Sequence, residues 1–298
     1  MRRSEFIRTV LGGIVLLSVG KLPAVAAPRR SLRFGLMTDM HYADREPSGT
    51  RYYRDSMAKI EEAVEMFRRE KVDFLIELGD MKDTTAASES VPTLRFLDDA
   101  ERALNRFGGP VYHALGNHDM DCLSKEEFLA HTHNAGRARG KAHYSFSAHG
   151  VRCIVLDANF NEDRTPYSRG NFDWRKAYIP ASQIEWLDAE LTRHADEPTL
   201  VFLHQMLDSF SNISKDLCVG NAEEVVAVLE QHEQVLAVFQ GHHHAGHYSY
   251  RRGIHYLTVQ GMIEQAAPAS AYAIVEVETD GTIRVDGFKS CPDRVMER

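Results

Sequence analysis

Short apolar runs that each stop at a polar cluster recur along the chain: LRFGLMTDMH, VDFLIELGD, PVYHALGNHD, VRCIVLDANF, TLVFLHQ and VLAVFQGHHH. Continuous apolar runs of this length predict strands buried on both faces. Between several of them, residues 53–70, 93–107, 181–194 and 222–232 carry apolar side chains at helical spacing. The alternation predicts an α/β protein with helices packed outside its sheets. After residue 244 the pattern changes. HYSYRRG, IHYLTVQGM, AYAIVEVETDG and TIRVDGFK read as successive strands joined by Gly-containing turns. Two facing mixed β-sheets flanked by helices accommodate both halves. No repeat or low-complexity linker divides residues 32–290, which are expected to form one domain. Residues 159–180 show no regular pattern and are predicted to be a loop, either beside the site or on the surface.

The opening segment stands apart. It has a basic start, an apolar run from Val10 to Gly20, and small residues at Ala24 and Ala26. This pattern predicts an export signal over residues 1–26, and hence a periplasmic or extracellular location. Gly12, Gly13 and Ser18 interrupt an apolar run already short for a membrane span, so no stable membrane insertion is expected after cleavage. Arg2 and Arg3, followed by Phe6 and Ile7, loosely resemble a twin-arginine signal.

The chain of 298 residues is 43% hydrophobic, enough for a substantial core, and carries a formal charge of −8. Cleavage of residues 1–26 removes four Lys or Arg and one Glu, which moves the charge to −11. An acidic surface repels a phosphate backbone, so a nucleic-acid polymer is not expected as a partner and small substrates are favoured. Cys122, Cys153, Cys218 and Cys291 lack metal-knuckle spacing and, in an exported protein, allow three disulfide pairings.

The chemistry collects where the predicted strands run out, the edge at which α/β sheets build sites. Asp39 and His41 follow the first run, Asp80 the second, Asn117 and His118 the third, His204 the fifth, and His242 and His244 the sixth. Carboxylate, imidazole and carboxamide donors without thiolate suit Mn, Fe or Zn.

These motifs, DMH at 39–41, GDMKD at 79–83, GNHD at 116–119, His204 and GHHH at 241–244, resemble the ordered set of calcineurin-like metallophosphoesterases. YADREPSGTRYYRDS, IPASQIEWLDAEL and GMIEQAAPASAYAIVEV extend the resemblance to the branch of manganese-dependent ADP-ribose/CDP-alcohol diphosphatases. The resemblance implies a four-layer α-β-β-α sandwich holding two divalent metal ions. Asp39, His41 and His244 would hold one metal, Asn117, His204 and His242 the other, and Asp80 would bridge them. It also implies in-line attack of a metal-bridging hydroxide on a small phosphate ester or nucleotide diphosphate. His118 would then donate to the leaving oxygen, with Asp83 orienting it. His243 and His247 should face elsewhere, and His131 and His133 should lie on the surface.

For substrate binding, the sequence offers Tyr42, Asp44, Arg51, Tyr52 and Arg54 just beyond the first ligand pair, and the aromatic residues Phe160, Phe172, Trp174 and Phe210. Arginine binds a second phosphate bidentately, and an aromatic ring stacks on a base. Three other readings share this sequence: an exported alkaline-type phosphomonoesterase, a non-catalytic calcineurin-like binding module and a metal-storage protein. His118 and Asp83 beside a full ligand set argue against the last two.

Overall fold

The computed structural model describes residues 31–85 and 87–298. The segment read as an export signal lies outside them. In chain order the elements are β1 (Leu32–Met37), α1 (Ser56–Arg69), β2 (Phe74–Glu77), α2 (Ser90–Asn105), β3 (Val111–His113), α3 (Lys125–His131), β4 (Tyr144–Ala148) and β5 (Val151–Val155). There follow α4 (Ala181–Arg193), β6 (Thr199–Phe202), α5 (Ala222–Leu229), β7 (Val235–Gln240), β8 (His247–Arg251), β9 (Ile254–Thr258), β10 (Ala271–Val277), β11 (Ile283–Lys289) and β12 (Arg294–Met296). The four predicted helices and the apolar strands form within a few residues of their expected limits.

The strands build two six-stranded sheets, β12-β11-β10-β1-β2-β3 and β4-β5-β6-β7-β9-β8. β1 pairs parallel with β2, and so do β2 with β3, β5 with β6, β6 with β7 and β7 with β9. The ends of β1, β2, β3, β6 and β7 therefore open on one side of the molecule. β10 returns antiparallel beside β1, with Leu32 opposite Val277, and carries β11 and β12 into the first sheet.

The facing sheets enclose one apolar layer that includes Phe34, Phe74, Phe202 and Phe239. Phe34 stacks on Phe74 with centroids 5.0 Å apart and meets Phe202 and Phe239 edge-on at 5.7 and 5.8 Å. The apolar stripes of α1 and α2 cover the outer face of the first sheet, and those of α4 and α5 cover that of the second. This is the expected α-β-β-α order.

Three of these elements were not expected: α3, β4 and the short β12. α3 is only seven residues long, yet Ser124 and Glu127 form a reciprocal capping box at its start, a signal present in the sequence. β4 alternates serine with aromatic residues and lies at a sheet edge, so it lacks the continuous apolar run of a central strand. All four cysteines are buried and free, which removes the disulfide expectation. No helix among the described residues is long and apolar enough to cross a membrane.

Truncation of Phe34 removes the ring shared by both sheets. Phe34→Ala should cost about 3–5 kcal/mol, seen as a lower urea midpoint with an unchanged slope. A loss below about 1 kcal/mol would show that this ring does not fix the inter-sheet core.

Candidate metal centre

Four of the candidate ligands stand on left-handed backbone at strand ends: Asp39 (φ 52°), His41 (φ 45°), Asp80 (φ 54°) and His242 (φ 69°). Each such residue costs about 1–2 kcal/mol without local compensation. The compensation is visible. Asp119 takes the N–H groups of Asp80 and Met81 at 3.0 Å and of Gly116 at 2.8 Å, while Asp39 Oδ2 takes that of His242 at 3.0 Å. The N–H groups of Asp39 and His41 donate to the carbonyls of Gly79 and Asp80. Close approach also requires glycine at 116, where a Cβ would lie 2.2 Å from the Asp80 amide nitrogen and Oδ1.

These turns bring two donor groups together. In the first, His244 Nε2 lies 3.2 Å from Asp39 Oδ1, and His41 Nε2 lies 3.7 Å from the same oxygen and 3.3 Å from His244 Nε2. In the second, His204 Nε2 lies 3.2 Å from Asp80 Oδ2 and 3.3 Å from His242 Nδ1. Asp80 Oδ2 is also 3.4 Å from His41 Nε2, so one carboxylate oxygen faces both groups. Asp80 Oδ1 is held by the His118 N–H at 2.7 Å. Buried Asp39 Oδ1, Asn117 Oδ1 and His242 Nε2 have no hydrogen-bond partner. Imidazole nitrogens facing one another beside orphaned oxygens are a poor hydrogen-bond network and a good donor set for divalent cations. The residues fit two such ions.

Three of the four histidines are fixed through their second nitrogen, the arrangement that orients metal ligands. His41 Nδ1 faces Asp83 Oδ2 at 3.3 Å, His204 Nδ1 donates to the Leu78 carbonyl at 2.8 Å, and His244 Nδ1 meets Glu264 Oε1 at 2.7 Å. Glu264 lies in the GMIEQ stretch that carries the resemblance, but no role for it was legible there, because it lies twenty residues after the histidine that it orients.

The electrostatics follow from burial and mutual contact. Burial opposes charge on His41, but Asp80, Asp39 and Asp83 outweigh it and raise its pKa to about 10. His204 rises to about 9 for the same reason, with Asp80 and Asp39 overcoming burial. His242, buried and repelled by His204, falls to about 3. Burial also works against ionisation of Asp39, yet His244 and His204 hold it well below the usual carboxylate range.

His118 sits at the rim. Its Nδ1 is 3.7 Å from Asp83 and 4.0 Å from Asp121. Asp83 thus serves His41 more closely than it serves His118. Lys82, fully buried, ties the His118 carbonyl to Asp121 and so anchors the turn that carries His118. Burial lowers the pKa of His118, and neighbouring His41 adds to that effect against the pull of Asp80.

A cavity of about 280 Å³ opens over the centre, lined by Arg51, Asp80, Asn117, His118, Trp174, Leu217, His242 and His244. Arg51 and Trp174 are therefore in place. Arg54 is not, because Asp44 and Glu46 engage its guanidinium at 2.5 and 2.6 Å at the surface. Tyr42 is also absent from the lining and packs on Phe96. Of the other aromatic candidates, Phe172 lies 6.5 Å from His118, whereas Phe210 packs on Tyr256 and Phe160 on Lys125. The 159–180 loop thus reaches the site through Trp174, whose ring is 5.8 Å from His242. His131 and His133 pair with Asp98 and Glu101, away from the centre. A larger cavity of about 1010 Å³, on the flank beside β4, contains none of the candidate ligands.

A family model described as calcineurin-like phosphoesterase matches residues 32–246. Proteins from Danio rerio and Arabidopsis thaliana, each named manganese-dependent ADP-ribose/CDP-alcohol diphosphatase, are 27% and 25% identical to this chain over 300 and 292 residues. The alignments span 83% and 85% of this chain and 92% and 93% of theirs. A solved dimetal phosphatase from Danio rerio superposes with a TM-score of 0.77 at 25% identity, covering 89% of this chain and 98% of its own.

At pH 7 the metal-free protein holds His41 and His204 protonated, since both pKa values lie above neutrality. A ligating imidazole is neutral, so metal uptake should release protons, and affinity for Mn should rise as the pH climbs towards about 9–10. Calorimetric titration with Mn in two buffers of different ionisation enthalpy measures the release. Equal heats in both buffers would contradict it.

Proposed function

The chain belongs to the calcineurin-like phosphoesterase family of metal-dependent hydrolases with two divalent cations, and from that premise we propose an exported diphosphatase acting on small nucleotide-type diphosphates. The observation that carries this reading is the position of Asp80 Oδ2 between the His41 and His204 groups, beneath a cavity that also presents Arg51 and Trp174. Asp39, His41 and His244 would hold one cation and Asn117, His204 and His242 the other, with Asp80 placed to face both. When bound, the two ions supply Lewis acidity, which acidifies water and offsets charge on the phosphoryl oxygens.

The remaining work falls to the chain. Among the described residues no hydroxyl or thiol side chain lines the cavity, which supports water as the nucleophile, attacking in line and leaving no covalent intermediate on Ser, Thr or Cys. His118 presents Nδ1 to Asp83 and Asp121, which leaves Nε2 for the leaving oxygen. It stabilises and protonates that oxygen as the P–O bond breaks. Arg51 binds the second phosphate, and Trp174, 42% exposed at the rim, offers its face to the base. Manganese is the expected metal, by analogy with the named relatives. The basic start, apolar run and small residues of 1–26 support export.

Purified protein loaded with Mn should hydrolyse ADP-ribose and CDP-choline in preference to p-nitrophenyl phosphate and its bis-ester. His118→Ala should lower kcat by about 10²–10⁴-fold while keeping its metal. Trp174→Ala should weaken kcat/KM for the nucleotides by about tenfold and leave p-nitrophenyl phosphate unaffected. Preference for the monoester would instead identify an exported phosphomonoesterase. Metal uptake without turnover would leave a binding module. For export, N-terminal sequencing of the mature protein from its native host should begin at residue 27, and an intact Met1 would refute cleavage.

A further inference from the structure

α1 turns Ser56, Lys59, Ile60, Ala63, Val64 and Phe67 inward, so Lys59 occupies a position that helical periodicity reserves for apolar residues. It is 1% exposed. Its ammonium donates to four consecutive carbonyls: Met262 at 2.8 Å, Ile263 at 3.4 Å, Glu264 at 3.2 Å and Gln265 at 2.7 Å. Four carbonyl dipoles aimed at one buried point repel one another, and the ammonium charge offsets that repulsion.

The segment so gathered touches the metal centre on three sides. The N–H groups of Met262 and Ile263 donate to the carbonyls of Thr38 and Asp39. The Glu264 carboxylate holds His244 Nδ1 at 2.7 Å. Glu264 also bridges the backbone of Arg51, and Gln265 N–H donates to the Thr50 carbonyl. One segment therefore fixes a ligand turn, a ligand imidazole and the arginine that lines the cavity.

We propose that Lys59 is a positioning residue for the metal centre: its ammonium clasps residues 262–265, and through Glu264 it sets His244 for the cation shared with Asp39 and His41. The inference rests on the dimetal reading above. Loss of the clasp frees Glu264 and with it the orientation of His244, a kind of change that weakens metal binding by about 10–100-fold.

Mn binding to the metal-stripped full chain, followed by calorimetry, is the test. Wild type should take up two ions. Lys59→Met, which keeps an unbranched side chain one atom shorter and removes the charge, should retain one site and bind at the other at least about tenfold more weakly. Glu264→Gln should weaken the same site, and the double variant should lose less than the two single losses combined, as expected for groups acting in series. Unchanged affinity at both sites in folded Lys59→Met would overturn the inference and leave the dimetal reading intact. No Mn uptake by wild type would overturn both. Should Lys59→Met fail to fold, hydrogen exchange of wild type decides. Mn should slow the amides of Met262, Ile263 and Gln265, and unchanged rates there would overturn the inference.

Discussion

The centre depends on one carboxylate. Asp80 is 2% exposed, yet its Oδ2 stands within 3.4 Å of two imidazoles and its Oδ1 accepts a backbone amide. In the metal-free protein, with both imidazoles protonated, each contact at this distance is worth about 5 kcal/mol at an effective dielectric of 20. Desolvation of each ion costs several kcal/mol in return. The balance is close, and it is tipped by geometry. Asp80 must sit where both histidine groups converge, so everything that fixes its backbone belongs to the site. Asp119, three amide donors and the bare Cα of Gly116 do that fixing.

The left-handed turns follow from the same requirement. A strand that continued straight past Met37 or Glu77 would alternate its side chains between the two faces of the sheet. The abrupt turns instead send Asp39, His41 and Asp80 into one small volume. Sheet pairing supplies the rigidity that keeps these turns in place, because the backbone of residue 39 is hydrogen-bonded to both Gly79 and Ile263. Fold and site are thus coupled directly through strand ends.

Charged residues on buried helix faces extend that coupling outward. Lys59 on α1 reaches the 262–265 segment. On α2, Glu101 is 5% exposed and reaches His113, whose other ring nitrogen meets Glu77 at 3.0 Å. Glu77 in turn accepts the Gly79 amide at 2.7 Å, one residue before Asp80. Both helices therefore place a charge where packing alone would call for an apolar side chain, and each charge ends at a turn bearing a ligand. A buried charge left without its partner costs several kcal/mol, which makes such chains specific to one arrangement.

Much of this was legible along the chain. The apolar runs determined the central strands, the helical spacings determined α1, α2, α4 and α5, and the residues at the run ends supplied every member of both donor groups. These are local signals, carried by the period of the backbone and the chemistry of a few side chains. The tertiary structure decided what depends on residues far apart. It paired β10 with β1 and brought Glu264 to His244. It chose Arg51 over Arg54, since Asp44 and Glu46 capture the latter. Asp119 closes the GNHD motif but its role was not legible, and Lys59 looks like an ordinary polar residue, because the Asp80 and Met81 amides and the 262–265 carbonyls that they gather come from other segments. Periodicity tells which face of an element turns inward, but only the packed chain determines which groups it meets there.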